Sequence, residues 1–268
     1  MRFICFGFGD EKTWENMSQK EQSDAMEECM AFAEELRKSG HWSSPGEALQ
    51  SVRTAKTLRW KNGKVMVTDG PFAETKEQLG GFFVFEARDM SHAVELISKH
   101  PGIRYGPMEL RAADEQVNAL VAQRQPRAEK KPKDGNAKRF ICLGYADETA
   151  WDGMSQTEQA AQLEDGLAFV HDLRRKGHTV TPGDALQSAR TAKTLRWQGN
   201  KVLVTDGPFA ETKEQLGGFG IIEATDIKHA IDLLRSHPCI RHGPVEIRPV
   251  DEQIKALVEQ RQLQTTAT

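Results

Sequence analysis

The sequence predicts an α+β chain built from two copies of one small domain, and three observations carry that expectation. Asp10-Glu11 returns as Asp147-Glu148 and Trp14 as Trp151, an offset of 147 − 10 = 137. The stretch Val67–Phe82, VTDGPFAETKEQLGGF, returns letter for letter over 204–219. Within each copy, short β-branched and aromatic runs alternate with runs of helical spacing, the pattern of mixed α and β elements. Such self-similarity marks a duplicated unit. The first copy is placed at 1–122 and the second at 139–262, with 123–138 between them.

Taken in order, Arg2–Phe8 reads as a buried strand. Ser18 with Glu21, and Ser155 with Glu158, match the capping-box spacing that starts a helix. Met26, Met30, Ala33 and Leu36 then fall on one helical face, and Gly40 stands where the helix stops. Thr57–Trp60 and Lys64–Thr68 flank Asn62-Gly63, a hairpin signal because Asn-Gly tolerates positive φ. Gly81–Ala87 is an apolar strand, Ser91–His100 a short helix ended by Pro101, Met108–Arg111 a closing strand, and Asp114–Gln123 a last helix. The order β-α-β, hairpin, β-α-β is a ferredoxin-like plan with an inserted hairpin. The 123–138 stretch is rich in Lys, Pro and polar residues and reads as a flexible, exposed basic linker.

Each copy carries D-G-P-F-A-E-T-K-E-Q-L-G-G before a strand, then R-x-G-P-x-E-[LI]-R, as at Arg104–Arg111 and Arg241–Arg248. In these motifs the chain resembles the DGPF, or YCII-related, family over nearly all of both copies. The resemblance implies a dimeric α/β-barrel, two ferredoxin-like sheets packed face to face, which a duplicated chain forms within itself. Physics agrees: a sheet with helices on one side leaves its other face bare, and tethering supplies a second such face at high effective concentration.

The 268 residues carry a net charge of −3 and 38% hydrophobic residues, enough for packed cores without the concentrated basic field of a nucleic-acid or membrane-surface binder. The N-terminal apolar run reaches Asp10-Glu11-Lys12 too soon for a signal-peptide core or a membrane span. Cys5, Cys29, Cys142 and Cys239 lie far apart with no metal-ligand spacing, so no metal is expected; Cys5 and Cys142 fall mid-strand and read as buried thiols, in a reducing cytoplasm. Phosphate-binding glycine loops, dinucleotide turns and serine-hydrolase elbows are missing from the sequence, and no cofactor is expected.

Chemistry is sought first at the repeated Asp69–Glu77 and Asp206–Glu214 loops. Side-chain alternation sets Asp69 on the face of Val65 and Val67. If that face is covered, Asp69 and Asp206 reach the rim of an enclosed space as acid/base residues with raised pKa. Glu74, Lys76, Glu211 and Lys213 would orient a polar ligand, joined by His41 and His178 after the helix-stopping glycines and by Arg59 and Arg196 on the hairpins. The competing reading is plain turn chemistry, since Asp bonds its own backbone, Gly permits unusual φ and Pro fixes the next residue. A carboxylate with a nearby His is the acid/base pair proposed in YCII-type relatives, and here no His adjoins the loop. His100 is read as a helix C-terminal cation.

Three function classes remain open. One is a cofactor-independent acid/base enzyme for a small molecule, with its pocket at the Asp-Gly-Pro-Phe loops. Another is a non-catalytic ligand-binding or regulatory module, for which family association implies a sigma-factor partner, with a homo-oligomer as a further expectation. The third is a stable scaffold whose ligand capacity has decayed. The copies differ at Trp42/Thr179, Phe83/Gly220 and Tyr105/His242, so pockets lined by these positions would not be equivalent.

Overall fold

A computed structural model describes residues 1–124 and 137–266. The first copy runs β1 (Arg2–Gly9), α1 (Glu11–Glu15), α2 (Gln19–Lys38), β2 (Trp42–Ala48), β3 (Lys56–Lys61), β4 (Lys64–Asp69), β5 (Gln78–Glu86), α3 (Met90–Ile97), β6 (Met108–Ala112) and α4 (Glu115–Arg124). The second repeats it as β7 (Lys138–Ala146), α5 (Glu148–Asp152), α6 (Gln156–Arg175), β8 (Val180–Ala185), β9 (Lys193–Gln198), β10 (Lys201–Asp206), β11 (Gln215–Ala224), α7 (Ile227–Leu234), β12 (Val245–Pro249) and α8 (Glu252–Thr266). Most of the linker assigned to 123–138 lies outside the described residues.

Local chemistry accounts for the helix starts. Ser18 and Glu21 form a full capping box on α2, and Ser155 with Glu158 repeats it on α6. Asp10 and Asp147 cap the short α1 and α5 through their carboxylates. No helix among the described residues is long and apolar enough to cross a membrane.

The strands form two six-stranded sheets, ordered β10-β9-β6-β1-β5-β2 and β4-β3-β12-β7-β11-β8. In each, the four strands contributed by one copy keep the ferredoxin-like order, with the last strand beside the first. The hairpins, however, are exchanged. β3–β4 of the first copy joins the second copy's sheet, with Leu58 opposite Val245 and Thr57 opposite Glu246. β9–β10 joins the first copy's sheet in the same register, with Leu195 opposite Met108. Sequence alone gives the hairpin but not its partner, because Asn-Gly turn chemistry is local.

The two sheets face each other across one core. Ile4, Phe6, Phe82 and Val84 from the first copy pack there with Ile141, Leu143 and Leu186 from the second. Phe219 completes the seam, 4.5 Å from the Phe82 ring and edge-on to Phe6. This is the α/β-barrel arrangement, formed within one chain. The opposite face of each sheet packs on its own helices: Phe3, Phe85, Ile97 and Leu110 in the first copy, Phe140, Ile222, Leu234 and Ile247 in the second. The terminal helices also cross over, α8 onto β2 and α4 onto β8.

Candidate functional site

The Asp-Gly-Pro-Phe segment leaves the edge strand β4 as an irregular loop, and β5 begins at Gln78 rather than at Gly81. Gly70 takes φ +90°, a conformation that strains any other residue and fixes the turn. Asp69 sits opposite Lys56 in the hairpin register and pairs with it, its side chain 89% exposed. Asp206 does the same with Lys193 at 87% exposure. The expected rim of an enclosed space is therefore not where these aspartates stand: an edge strand ends in solvent, and nothing desolvates them. Glu74, Lys76, Glu211 and Lys213 are exposed as well, Lys213 lying 3.7 Å from Asp147.

The loop's contacts run to the other copy. The Phe72 N–H donates to Glu246 Oε2 at 2.8 Å, and the Phe209 N–H to Glu109 Oε2 at 2.8 Å. The Phe72 ring stacks on Tyr145 at 4.1 Å and the Phe209 ring on Phe8 at 4.2 Å. Arg59 and Arg196 brace the loop from behind, donating to the carbonyls of Phe72 and Phe209 and lying 5.2 and 5.1 Å over their rings. Glu109 and Glu246 are buried and paired with the buried Arg111 and Arg248 two residues on. Gly106 and Gly243 of the second motif let strands β1 and β7 approach: a Cβ there would fall 1.9 Å from the carbonyl oxygens of Phe8 and Tyr145. Both motifs thus form a clasp between copies.

His41 and His178 do not meet these loops. His41 Nδ1 lies 2.9 Å from the Glu86 carbonyl oxygen, and its ring is edge-on to His92 at 5.0 Å. His178 stands 5.9 Å from His229 in the same manner. His100 is the larger correction. It caps the short 3-10 turn that follows, Nδ1 accepting the Gly102 N–H at 2.9 Å, and burial pushes its pKa down to about 4. It is neutral, with its proton on Nε2, because Nδ1 is an acceptor; no helix-terminal cation exists there.

What the first copy does enclose is a cavity of about 750 Å³ between its sheet and α2, closed on one side by α8 of the second copy. Its floor is short of side chains, since Gly7, Gly9 and Gly81 line it, and a Cβ on Gly9 would meet nothing within 4 Å. Trp42 stacks on Phe83 at 5.6 Å, and Phe83 on His100 at 5.5 Å, giving a continuous aromatic wall. Met17, Met26, Met30 and Met108 line it with the thiols of Cys5 and Cys29. Burial raises both thiols, Cys29 to about 11, so they are protonated. Loop residues 69–77 are not among the lining residues, whereas Trp42, Phe83 and Tyr105 all are. The signal for this site in the sequence was the set of positions at which the copies differ. Among the described residues no cluster of three or more His, Cys, Asp or Glu could hold a metal ion.

The YCII-related domain matches the chain twice, over residues 1–115 and 138–254. The chain belongs to the YCII-related family. A protein of Rhizobium meliloti (strain 1021), itself uncharacterised, is 34% identical over 113 residues, 41% of this chain and 90% of that protein. Among solved structures, a mutant chlorite dismutase from Candidatus Nitrospira defluvii matches 97% of this YCII-related chain and 94% of its own at 9% identity, TM-score 0.46. A heme-binding protein from Thermus thermophilus matches 96% of this chain and 94% of its own at 11% identity, TM-score 0.42. At these scores neither likeness bears on ligand or reaction.

Proposed function

We propose that this YCII-related chain is a small-molecule-binding protein that works through the cavity of its first copy, not through the Asp-Gly-Pro-Phe loops. The observation that carries this is the cavity itself. At about 750 Å³ it falls within the range of small-ligand sites, with mainly apolar and aromatic walls interrupted by charged residues such as Asp10, Glu11, Glu15 and Arg37. A flat ligand would lie along the Trp42–Phe83–His100 wall, and methionine sulfurs favour contact with ring edges. The His100 Nε2–H is the donor such a ligand would find on that wall. Within this reading the polar contact to the ligand falls to His100 rather than to Asp69 and Asp206.

The test is a thermal-shift screen of a metabolite library on wild type and Gly9→Leu. Binding to the folded state alone raises Tm by mass action. Gly9 lines the cavity and a Cβ there would meet nothing within 4 Å, so a leucine side chain has room to enter the space and obstruct it. Hits on wild type that vanish in Gly9→Leu support the reading; hits that persist in Gly9→Leu sink it.

One observation favours the second reading, an interaction module that docks a sigma factor or another copy. Edge strands β4 and β10 expose Met66, Val67, Leu203 and Val204, and an open apolar edge is a template for strand addition. Light scattering of wild type against Met66→Lys/Leu203→Lys tests the homo-oligomer arm, with a monomer in both counting against it.

A further inference from the structure

Each sheet has two edges, and they are finished differently. At one edge stand β2 and β8, which carry Pro45 and Pro182 and pair with β5 and β11 through broken registers. Helices α8 and α4 pack on them. Proline, irregular register and a covering helix are the devices that stop an edge from pairing with another chain. At the other edge stand β4 and β10, which have none of these devices. Each is a six-residue strand without proline, in unbroken register with its hairpin partner. Among the described residues no strand lies on its outer side. Met66, Val67, Leu203 and Val204 stand exposed along these strands, with Trp60 and Trp197 one strand in.

The hairpins already serve as pairing devices between copies. Their inner strands join the other copy's sheet, β3 beside β12 and β9 beside β6. Their outer strands read K-V-M-V-T-D in one copy and K-V-L-V-T-D in the other. Lys61 and Lys64 flank the two-residue Asn62-Gly63 turn, so Lys64, Met66 and Thr68 direct their backbone groups inward to β3. Val65 and Val67 direct theirs outward.

A second copy related by a two-fold axis at Met66 meets those outward groups with its own. Val65 then lies opposite Val67 of the second copy, Val67 opposite its Val65, and Met66 opposite its Met66. Lys64 falls opposite Thr68, and no two charges of one sign are opposed. Sliding the pair to centre on Val67 would instead set Asp69 against Val65. On the face that carries Trp60, the apolar row Trp60–Val65 runs on into Val67 of the second copy.

We propose that β4 and β10 are self-association edges, each taking the same strand of a second copy of this chain, antiparallel and centred on Met66 or Leu203. The sheet then continues from one molecule into the next. This rests on the interaction reading above and not on the cavity, which neither strand lines. Because one chain has two such edges, growth does not stop at the dimer. The paired strand is short, which places the contact among weak interfaces.

Sedimentation velocity of the full chain from about 1 µM to about 1 mM tests this. Wild type is expected to pass beyond the dimer as concentration rises. Val204→Pro is expected to stop at the dimer and Val67→Pro/Val204→Pro at the monomer, since an edge strand tolerates proline where its N–H faces solvent, and pairing needs that donor. Should the prolines disturb the hairpins, Met66→Lys/Leu203→Lys keeps every hairpin bond and sets like charges opposite each other, and is expected to be monomeric. The register is read from Met66→Lys and Met66→Glu, each combined with Val204→Pro. Each alone is expected to stay monomeric and their mixture to dimerise, because position 66 meets itself. A wild type that stays monomeric throughout, or variants that assemble as wild type does, overturns the proposal; a mixture no more associated than its components overturns the register. A fluorescein-labelled peptide of residues 64–69 separates the two failures. If monomeric wild type binds the peptide and Val67→Pro/Val204→Pro does not, strand addition stands and the second copy falls as its occupant. If wild type neither associates nor binds the peptide, the interaction reading falls with the proposal.

Discussion

The helix-facing sides of the two sheets are built on the same strand order and filled differently. On the first, Trp42, Phe83 and His100 stack along a floor that includes Gly7, Gly9 and Gly81. On the second, the corresponding residues are Thr179, Gly220 and His237, and Gly9 is replaced by Ala146. Methionines 26, 30 and 108 become Leu163, Leu167 and Val245, and Cys29 becomes Gly166. The soft, adaptable side chains are concentrated in one copy, while the clasp residues Glu109, Arg111, Phe72 and Arg59 have identical counterparts in the other. The duplicated parts hold the halves together, and the diverged parts surround the space. A ligand site read from what the copies share would land on the clasp.

The largest expected effect tests the shared part. Removing one partner of a buried ion pair leaves the other charge uncompensated, a cost of about 3–5 kcal/mol. Arg248→Met is expected to lower stability by that order in a denaturant titration, because Glu246 also holds the Phe72 N–H. Arg111→Met should cost less, since Arg111 Nε already lacks a partner and Arg248 Nε has one. Equal losses would mean that the two halves of the clasp are energetically equivalent.

The next effect tests the diverged part. Gly9→Leu is expected to weaken ligand binding by at least about tenfold, or about 1.4 kcal/mol, while Ala146→Leu in the second copy leaves it unchanged. Reversing Phe83 to the glycine of the second copy should also weaken binding, with quenching of Trp42 fluorescence as the readout. Loss of binding in Ala146→Leu would place a functional site in the second copy and undo the asymmetry.

How much of this was legible in the sequence follows from how local each signal is. β1, β3 to β6, the capping boxes of α2 and α6 and the Asn-Gly hairpin rest on residues within a few positions of one another and were readable, whereas β2, whose WSSPGEA stretch is no apolar run, was not located. The exchange of β3–β4 between sheets was not, because Leu58 meets Val245 across nearly the whole chain. The Asp-Gly-Pro-Phe loop was readable as a turn and as an acid/base candidate alike. Which one holds depends on β4 being an edge strand, a property of the whole sheet. His100 misled for a related reason: helix-terminal position suggested a cation, whereas packing against Phe32 and Phe83 removes the charge.

A pH titration sharpens the comparison at the position both copies keep. Burial lowers His100 and His237 to about 4 in the folded chain, below the value near 6.5 of an unfolded histidine. Protonation therefore favours the unfolded chain. Stability from these groups is complete above about pH 6.5 and declines as pH falls toward 4, by about 1.4 kcal/mol per pH unit for each. His100→Gln and His237→Gln should each remove one share of that slope. A ligand accepting from the His100 Nε2–H keeps that bond when Nδ1 is protonated, and the imidazolium donates more strongly, so the wild-type decline should become shallower in its presence, an effect that should vanish in His100→Gln but not in His237→Gln.

The smallest expected effect is the most discriminating for the loop. Asp69 and Asp206 pair with Lys56 and Lys193 in solvent, and exposed pairs contribute about 0–1 kcal/mol. Asp69→Asn/Asp206→Asn should therefore lower stability by less than about 2 kcal/mol for both sites together, with ligand affinity within about twofold of wild type because the cavity wall is untouched. Phe72→Ala, by contrast, removes a ring stacked on Tyr145 and the surface over which Arg59 lies, and truncating a packed phenylalanine costs about 3–5 kcal/mol when fully buried. Phe72 is partly exposed, so its loss should fall below that range but above the aspartate pair. If the aspartate variant instead keeps its melting temperature and loses ligand, the loop is chemical after all, and the clasp is only the frame that holds it.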